Sequence, residues 1–147
     1  MVGTLPVPML RVVPLSAVLG AALALGGCSP TGSTNDSSGN FRGESRLVAN
    51  AIEDLQSAGD KGNEADICEN LLSRSLARQM GARGGGCAKA VDAALKDTDS
   101  FDLKVESVRV QGTRATARVK AERGDRDEIV TLGLVKEGAG WRISDLG

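Results

Sequence analysis

The side chains with the most distinctive chemistry in this 147-residue chain are its three cysteines, Cys28, Cys68 and Cys87. A cysteine thiol can be acylated, oxidised to a disulfide, bound to a metal or used as a nucleophile. The chain contains no histidine and no tyrosine, which excludes Ser-His-Asp and Cys-His catalysis and removes the commonest metal ligand. Two isolated cysteines without histidine make a poor zinc site, and no Cys-x-x-Cys motif is present. We therefore predict no metal, no cofactor and no catalytic constellation.

The segment before Cys28 is apolar and almost uncharged. Arg11 is followed by an uncharged run from Val12 to Gly27 that is rich in Ala, Leu and Val, as in the apolar core of a signal peptide. The run ends in Leu25-Gly26-Gly27-Cys28, which resembles the lipobox of bacterial lipoproteins. The resemblance implies that the Cys28 thiol receives a diacylglyceryl group and that the chain is cut before it, so that residues 1–27 are a cleaved signal peptide.

Other interpretations of this segment stay open. As a membrane-spanning helix, the run would reach only about 24 Å, against a hydrocarbon core of roughly 30 Å. As an ordinary signal peptide, it would be cleaved and leave Cys28 with a free thiol. Translation could also begin at Met9 instead of Met1, because Met9 lies two residues before Arg11. With two acyl chains on Cys28, the protein would stay anchored to the extracytoplasmic face of the cell membrane.

The rest of the chain divides into a tether and one domain. Residues 28–44 are predicted to be the lipidated cysteine and a flexible tether, because the stretch from Ser29 to Gly43 is rich in Ser, Gly, Thr and Asn and offers little to bury. Residues 45–147 are long enough for a single domain with one core.

Charge gives little sign of a charged partner. The net charge is −1, and the basic residues are scattered along the sequence. This predicts no binding to nucleic acid and no electrostatic attraction to an anionic membrane. Arg114, Arg118 and Lys120 are expected to form one solvated strand face.

Helical periodicity dominates the first half of the domain. A helix is predicted from about Ser45, as its cap, to Ala58, with Gly59 at its end. Its apolar stripe is Leu47, Val48, Ala51, Ile52 and Leu55. Asn63 is placed to cap a second helix and Asp66 to return a capping-box bond. A further helical turn or two covers residues 75–80, and a third helix is predicted to start near Cys87.

The period changes to two after Asp97. Leu103 and Val105 alternate on one parity and Val108 and Val110 on the other, which predicts a bulge near Glu106-Ser107. Turn residues separate four strands, and the apolar run Ile129–Val135 is expected to be a central strand buried on both faces. Helices that precede a meander of strands indicate an α+β domain, with about three helices packed on one face of a four-stranded antiparallel sheet.

Cys68 and Cys87 are predicted to form a disulfide, since they are the two thiols that lipidation leaves in an exported domain. Closing a loop of roughly 20 residues would stabilise the fold by about 3 kcal/mol. If the second helix ran unbroken to Met80, Cys68 would lie about 18 Å from its end. Six loop residues reach about 20 Å, so the bridge would only just close. We therefore expect a kink near Ser73.

Three stretches of the domain resemble the nuclear-transport-factor-2-like superfamily, and more narrowly small exported lipoproteins of high-GC Gram-positive bacteria. They follow the amphipathic opening helix and are Ala65–Ser73, Gly85–Val91 and Val135–Gly147. The resemblance implies a cone, in which helices cover a strongly curved sheet around a pocket, with Trp141 at or near that pocket. The alternative, which we prefer, is that Trp141 fills the core, because buried aromatic side chains mostly pack.

The resemblance also includes enzymes, such as ketosteroid isomerase, scytalone dehydratase and limonene epoxide hydrolase. Their chemistry depends on pocket Asp, Tyr, His or Arg residues, so no catalytic residue is carried over to this chain. The available carboxylates are expected at solvated strand ends or turns; they are Asp102, Glu106, Asp127 and Glu128. The leading hypothesis is a lipid-anchored binding domain for an apolar small molecule or lipid. The alternatives are a cell-envelope scaffold without a ligand and, less favoured, an isomerase- or hydrolase-like enzyme.

Overall fold

The computed structural model describes residues 37–82, 84–97, 102–123 and 126–147. All of these residues belong to one compact unit, Ser33–Gly147. Cys28, the signal peptide and the two possible first residues, Met1 and Met9, lie outside the described residues. The assignments made for them stay predictions. In the part of the chain that is described, no helix is both long enough and apolar enough to cross a membrane.

The first helix, α1, spans Glu44–Asp60. Its stripe faces the core as the periodicity predicts, except that Leu47 is 48% exposed. The helix begins one residue before the predicted cap, directly after Gly43, which has a φ of 56°. Ser45 is therefore inside the first turn and caps nothing, and Gly59 lies within the last turn instead of ending the helix. Glu44 is favourable in the first turn because a carboxylate there interacts with the helix dipole.

The second helical segment bends where the sequence predicts. Its first turn, α2, is Glu64–Asp66, and the Asn63 side chain accepts a hydrogen bond from the Asp66 N–H at 3.4 Å. The Asp66 carboxylate accepts from the Asn70 amide instead of returning a bond to the cap. The chain continues as a π-helical turn, Ile67–Leu71. It then becomes extended at Leu72 and Ser73, which is the predicted kink.

Two more helices complete the helical half. Helix α3, Arg74–Gly81, begins where the Ser73 hydroxyl accepts the Leu76 N–H at 3.2 Å, and α4 is Cys87–Lys96. The predicted disulfide joins the π-helical turn to the first turn of α4, with the Cα atoms of Cys68 and Cys87 6.1 Å apart. The break at Leu72 and Ser73 separates Cys68 from α3, so the bridge does not have to span an unbroken helix.

The second half is a single antiparallel meander in the order β1-β2-β3-β4. The strands are Asp102–Gln111, Arg114–Arg123, Arg126–Glu137 and Gly140–Asp145. The register of β1 shifts between Val105 and Ser107, as the change of parity predicts. The shift turns the valines on both sides of the bulge toward the same face. The helices pack on that face, which confirms the α+β class.

Strand β3 is central, but the prediction that it is buried on both faces is wrong. Leu132 and Leu134 are buried, whereas Ile129 is 46% exposed and Thr131 is exposed. The helices cover only one side of the sheet, and no described element lies on the other. The outer face of β3 is therefore accessible, and its apolar side chains, Ile129 and Val135, lie among polar residues.

The predicted tether extends too far, because the chain is already packed at Ser37. Ser37 and Ser38 are only 4% and 5% exposed, and a 3-10 turn covers Ser38–Asn40. The Ser37 hydroxyl accepts the Val105 N–H at 3.2 Å. The Glu53 carboxylate accepts the Ser38 N–H at 2.7 Å. Ser37 thus satisfies a donor on edge strand β1 and Ser38 donates to α1, so the domain begins at or before residue 37.

Candidate functional site

Trp141, the residue expected at or near a pocket, lies on β4 and is 5% exposed. Its indole N–H donates to Glu44 Oε2 at 2.7 Å. Lys136 Nζ lies 5.8 Å from the centroid of the ring and 2.8 Å from Glu44 Oε1. The indole is therefore packed in the core, and its polar edge ties the start of α1 to the end of the sheet.

An open, polar cleft of about 360 Å³ lies beside the edge of this indole. Its lining comes from the π-helical turn, the start of α3 and the β3–β4 hairpin, and consists of Asn70, Arg74, Glu137, Gly138, Ala139, Gly140, Trp141 and Arg142.

The charges of this cleft compensate one another. Glu137 Oε2 is 3.8 Å from Arg74 Nε and 3.9 Å from Arg142 Nε. The Glu137 carboxylate also accepts the Arg74 N–H at 3.3 Å, so it occupies the N-terminus of α3. Arg142 Nη1 donates to the Glu69 carbonyl at 2.6 Å. The cleft is thus a closed set of polar contacts and offers no apolar enclosure for a ligand.

A second cavity, of about 110 Å³, lies between the helices, is partly open to solvent and is lined by apolar side chains only. We call it the helical cavity. Its lining comes from α1, the π-helical turn, α3, α4 and the C-terminal residues, and consists of Leu55, Ile67, Leu72, Met80, Val91, Ala94, Leu95 and Leu146. The disulfide joins two segments that contribute to this lining, since Cys68 follows Ile67 and Cys87 lies one helical turn before Val91.

The helical cavity is not where the sequence places a pocket. Trp141 does not line it, and the interior between α1 and the sheet is filled by buried side chains such as Ile52, Leu134 and Ile143. The sequence shows that each of these helices has an apolar stripe. The distance between these stripes depends on the bend at Ser73 and on the π-helical turn. Periodicity alone reveals neither feature.

The carboxylates considered as catalytic groups lie away from this cavity. Glu106, Asp127 and Glu128 are exposed, and Asp127 pairs with Lys120 at 2.7 Å. Asp102 accepts a hydrogen bond from the Gln56 amide at 3.3 Å. None of the four has the apolar enclosure that turns a carboxyl group into a general acid at neutral pH.

Among the described carboxyl groups, the surroundings of Asp54 and Glu44 shift the pKa. Partial burial, followed by the charges of Glu53 and Asp66, raises the pKa of Asp54. Asp54 borders a surface cleft of about 260 Å³ that it shares with Asp66 and Lys61. Within the described ranges, no three His, Cys, Asp or Glu side chains are grouped closely enough to hold a metal ion.

The contacts of Glu44 with Lys136 and Trp141 predict how the stability of the fold depends on pH. The hydrogen bond from Lys136, and after it the one from Trp141, lowers the pKa of Glu44. A carboxyl with a lowered folded-state pKa stabilises the fold above its ordinary value of 4.5, and this contribution disappears as the pH falls through the lowered pKa. Glu44→Gln should therefore be less stable than the parent at neutral pH, and the difference should shrink in acid.

Urea unfolding followed by the fluorescence of the single tryptophan measures this difference at a series of pH values. Glu128→Gln is the matched control, because Glu128 is an exposed carboxylate on the sheet. A Glu44→Gln difference that stays constant from neutral pH to below 4.5 would contradict the assignment.

Comparisons with known proteins give one structural likeness. No protein-family model matches the chain, and no curated protein is significantly similar to it. A designed nuclear-transport-factor-2-like protein of known structure is similar, with 17% sequence identity and a TM-score of 0.47, over 69% of this chain and 96% of that one. This likeness fixes neither a family nor an activity.

Proposed function

We propose that the protein is a lipid-anchored, extracytoplasmic binding domain of the nuclear-transport-factor-2-like type, without enzymatic activity. Its ligand is a small apolar molecule, or the apolar end of a longer one, held in the helical cavity. The lipobox that ends at Cys28 supports the anchor, and the order of helices and strands supports the fold type. The observation that carries the binding function is a cavity with no polar atom in its lining.

Volume and chemistry define the class of ligand. Pockets for drug-sized ligands usually measure about 300–1,000 Å³, so a cavity of about 110 Å³ takes only a few heavy atoms. Apolar cavities of comparable size, about 150 Å³, stay dry and bind benzene or xenon. Water has no hydrogen-bond partner in such a lining, which favours an apolar occupant. Leu146, at the border of the cavity, is 45% exposed, so a longer chain can leave the cavity there.

Methyl NMR of the full chain in lipid nanodiscs tests this proposal. The chain has three methionines, and of these Met80 lines the cavity, so methionine labelled with carbon-13 in its methyl group gives a local probe. Cleavage before Cys28 would remove Met1 and Met9, so we expect one methionine methyl signal in the anchored protein, and we expect titration with benzene to shift this Met80 signal in a saturable way.

A pair of variants on α4 provides the control. Ala94→Leu places a larger side chain in the lining and should abolish the saturable shift, whereas Ala93→Leu, at an exposed position outside the lining, should preserve it. Both substitutions keep the apolar character of the site and favour helix formation. Binding in this cavity would be contradicted if benzene did not shift the Met80 signal, or if it shifted this signal equally in the Ala94→Leu variant and the parent.

A scaffold in the cell envelope, with no small ligand, is the second candidate. The uncovered outer face of the sheet supports it, because a partner protein could lie there without displacing any described element. Mild cross-linking in intact cells followed by purification tests this candidate. A single partner recovered in fixed ratio would support it, and a protein recovered alone would count against it.

A further inference from the structure

Four cations project from the outer face of β1 and β2. They form what we call the basic face, which consists of Lys104, Arg109, Arg114 and Arg118, and all four are exposed. The strand register brings them together: Arg109 is opposite Thr116, whose neighbours two residues away on β2 are Arg114 and Arg118. Diagonal neighbours of this kind lie about 7–8 Å apart, so the guanidinium groups share one patch.

The positive charge of this patch is largely uncompensated. Among the described residues, none of its four cations forms a salt bridge. Lys120, which lies opposite Lys104, differs in being paired with Asp127 at 2.7 Å and Glu122 at 3.5 Å. Glu106 is the single acid in the sequence between Lys104 and Arg118. The basic face therefore keeps a net positive charge although the whole chain has a net charge of −1.

The chain enters the domain beside this face. Ser37 is hydrogen-bonded to Val105 on β1, the residue that follows Lys104. Between Ser37 and the predicted lipid-bearing residue, Cys28, lie only residues 29–36. At full extension such a segment reaches at most about 28 Å, and as a random coil about 15 Å. A segment of this length would let the edge of the basic face reach the headgroups, because its random-coil span of about 15 Å is roughly two Debye lengths of about 8–10 Å.

We propose that the basic face docks the domain on a lipid surface with anionic headgroups. The inference rests on the anchor in the proposed function, and it replaces the expectation, drawn from net charge and the scatter of basic residues in the sequence, that an anionic membrane does not attract this protein. Charge complementarity selects the partner, because the face presents arginine and lysine with threonine and serine between them and no cluster of apolar side chains. Each basic residue near an anionic surface changes the docked population about fivefold, and salt weakens the effect.

Headgroup quenching on vesicles measures the docking. The full acylated chain, with a fluorophore attached at Thr116→Cys in the centre of the basic face, is reconstituted into phosphatidylcholine vesicles with or without phosphatidylglycerol and with a spin-labelled headgroup lipid. We expect strong quenching with phosphatidylglycerol at low salt, and weak quenching in pure phosphatidylcholine or at high salt.

Two triple variants with the same net charge separate the face from the overall charge. Arg109→Gln, Arg114→Gln and Arg118→Gln together should lower the ratio of docked to undocked protein about a hundredfold, from three factors of about five. Arg46→Gln, Arg78→Gln and Lys89→Gln together remove exposed cations of α1, α3 and α4 and should leave the quenching unchanged.

Flotation of the same vesicles distinguishes failure of the lipid anchor from failure of docking by the basic face. Protein that fails to float with pure phosphatidylcholine vesicles lacks the anchor, which contradicts the proposed function, and the basic face is then tested by flotation with phosphatidylglycerol vesicles at low salt. Equal quenching on both vesicle types, or equal loss in both triple variants, would overturn docking by this face. Cross-linking in cells tests the alternative that the face binds an acidic protein. A cross-link that the face variant alone loses, together with no quenching on any vesicle, would assign the face to that protein and overturn the lipid proposal.

Discussion

Replacing Cys68 and Cys87 together by alanine should lower the free energy of unfolding by about 3 kcal/mol. The bridge closes a loop with a sequence separation of 19 residues, and the alanine variant regains the entropy of that loop in the unfolded state. The described helices that it holds have little other support, since α3 contains no buried residue and α4 contains one, Val91. A loss of this size is a large part of the 5–15 kcal/mol typical of a domain.

Urea unfolding measures the global loss, and native-state hydrogen exchange shows where it falls. We expect amides of α3 and α4 to lose protection first, while α1 and the central strands keep theirs, because local opening begins where few apolar contacts hold the backbone. The parent protein treated with a reductant that reaches the bridge should behave like the alanine variant. Equal loss of protection throughout the domain would contradict this account, and two free thiols in the unfolded, unreduced parent would show that the bridge does not form.

Ile52→Ala should cost a similar amount, about 2–5 kcal/mol, through a different mechanism. Ile52 is fully buried in the middle of α1, in the core that α1 shares with the inner face of the sheet. Truncation removes apolar contacts and leaves a cavity that the neighbouring strands fill only in part. The change acts on the folded state, so hydrogen exchange should rise over the whole domain and not only in α3 and α4.

Leu47→Ala is the matched control for Ile52→Ala. Leu47 lies on the same helix and belongs to the same predicted apolar stripe, but it is 48% exposed. Its truncation should change the free energy of unfolding by no more than about 0.5 kcal/mol, as is usual for surface positions. If the two variants were equally destabilised, Leu47 would be part of the core and the packing of α1 described above would be incorrect.

The features predicted correctly from the sequence are those that depend on neighbouring residues. The bulge after Val105 follows from two apolar parities within one strand, and the cap at Asn63 follows from its place before an acidic helical turn. The disulfide follows from the two thiols that lipidation would leave in an exported domain, and the kink at Ser73 follows from the short connection across which they must meet. Each of these features depends on the types and the spacing of a few residues, and the sequence shows both.

The features missed from the sequence depend on which surfaces meet. Alternation shows that a strand has two faces, but it does not show that the helices cover only one of them, which is why β3 was expected to be buried on both sides. Helical periodicity places Leu47 at the edge of a stripe, and only the position of the sheet decides that this edge is exposed. The burial of Ser37 likewise depends on an N–H group of edge strand β1, far away in the sequence.

By itself, the sequence determined the order of helices and strands, the pairing of Cys68 with Cys87, the strand bulge and the absence of histidine chemistry. Only the tertiary structure decided where space remains and where charge collects. The helical cavity exists because four short segments are held apart by a bend and a π-helical turn, and the basic face exists because the strand register groups cations that the sequence scatters. Both properties arise from distances between residues far apart in the chain, which local patterns do not contain.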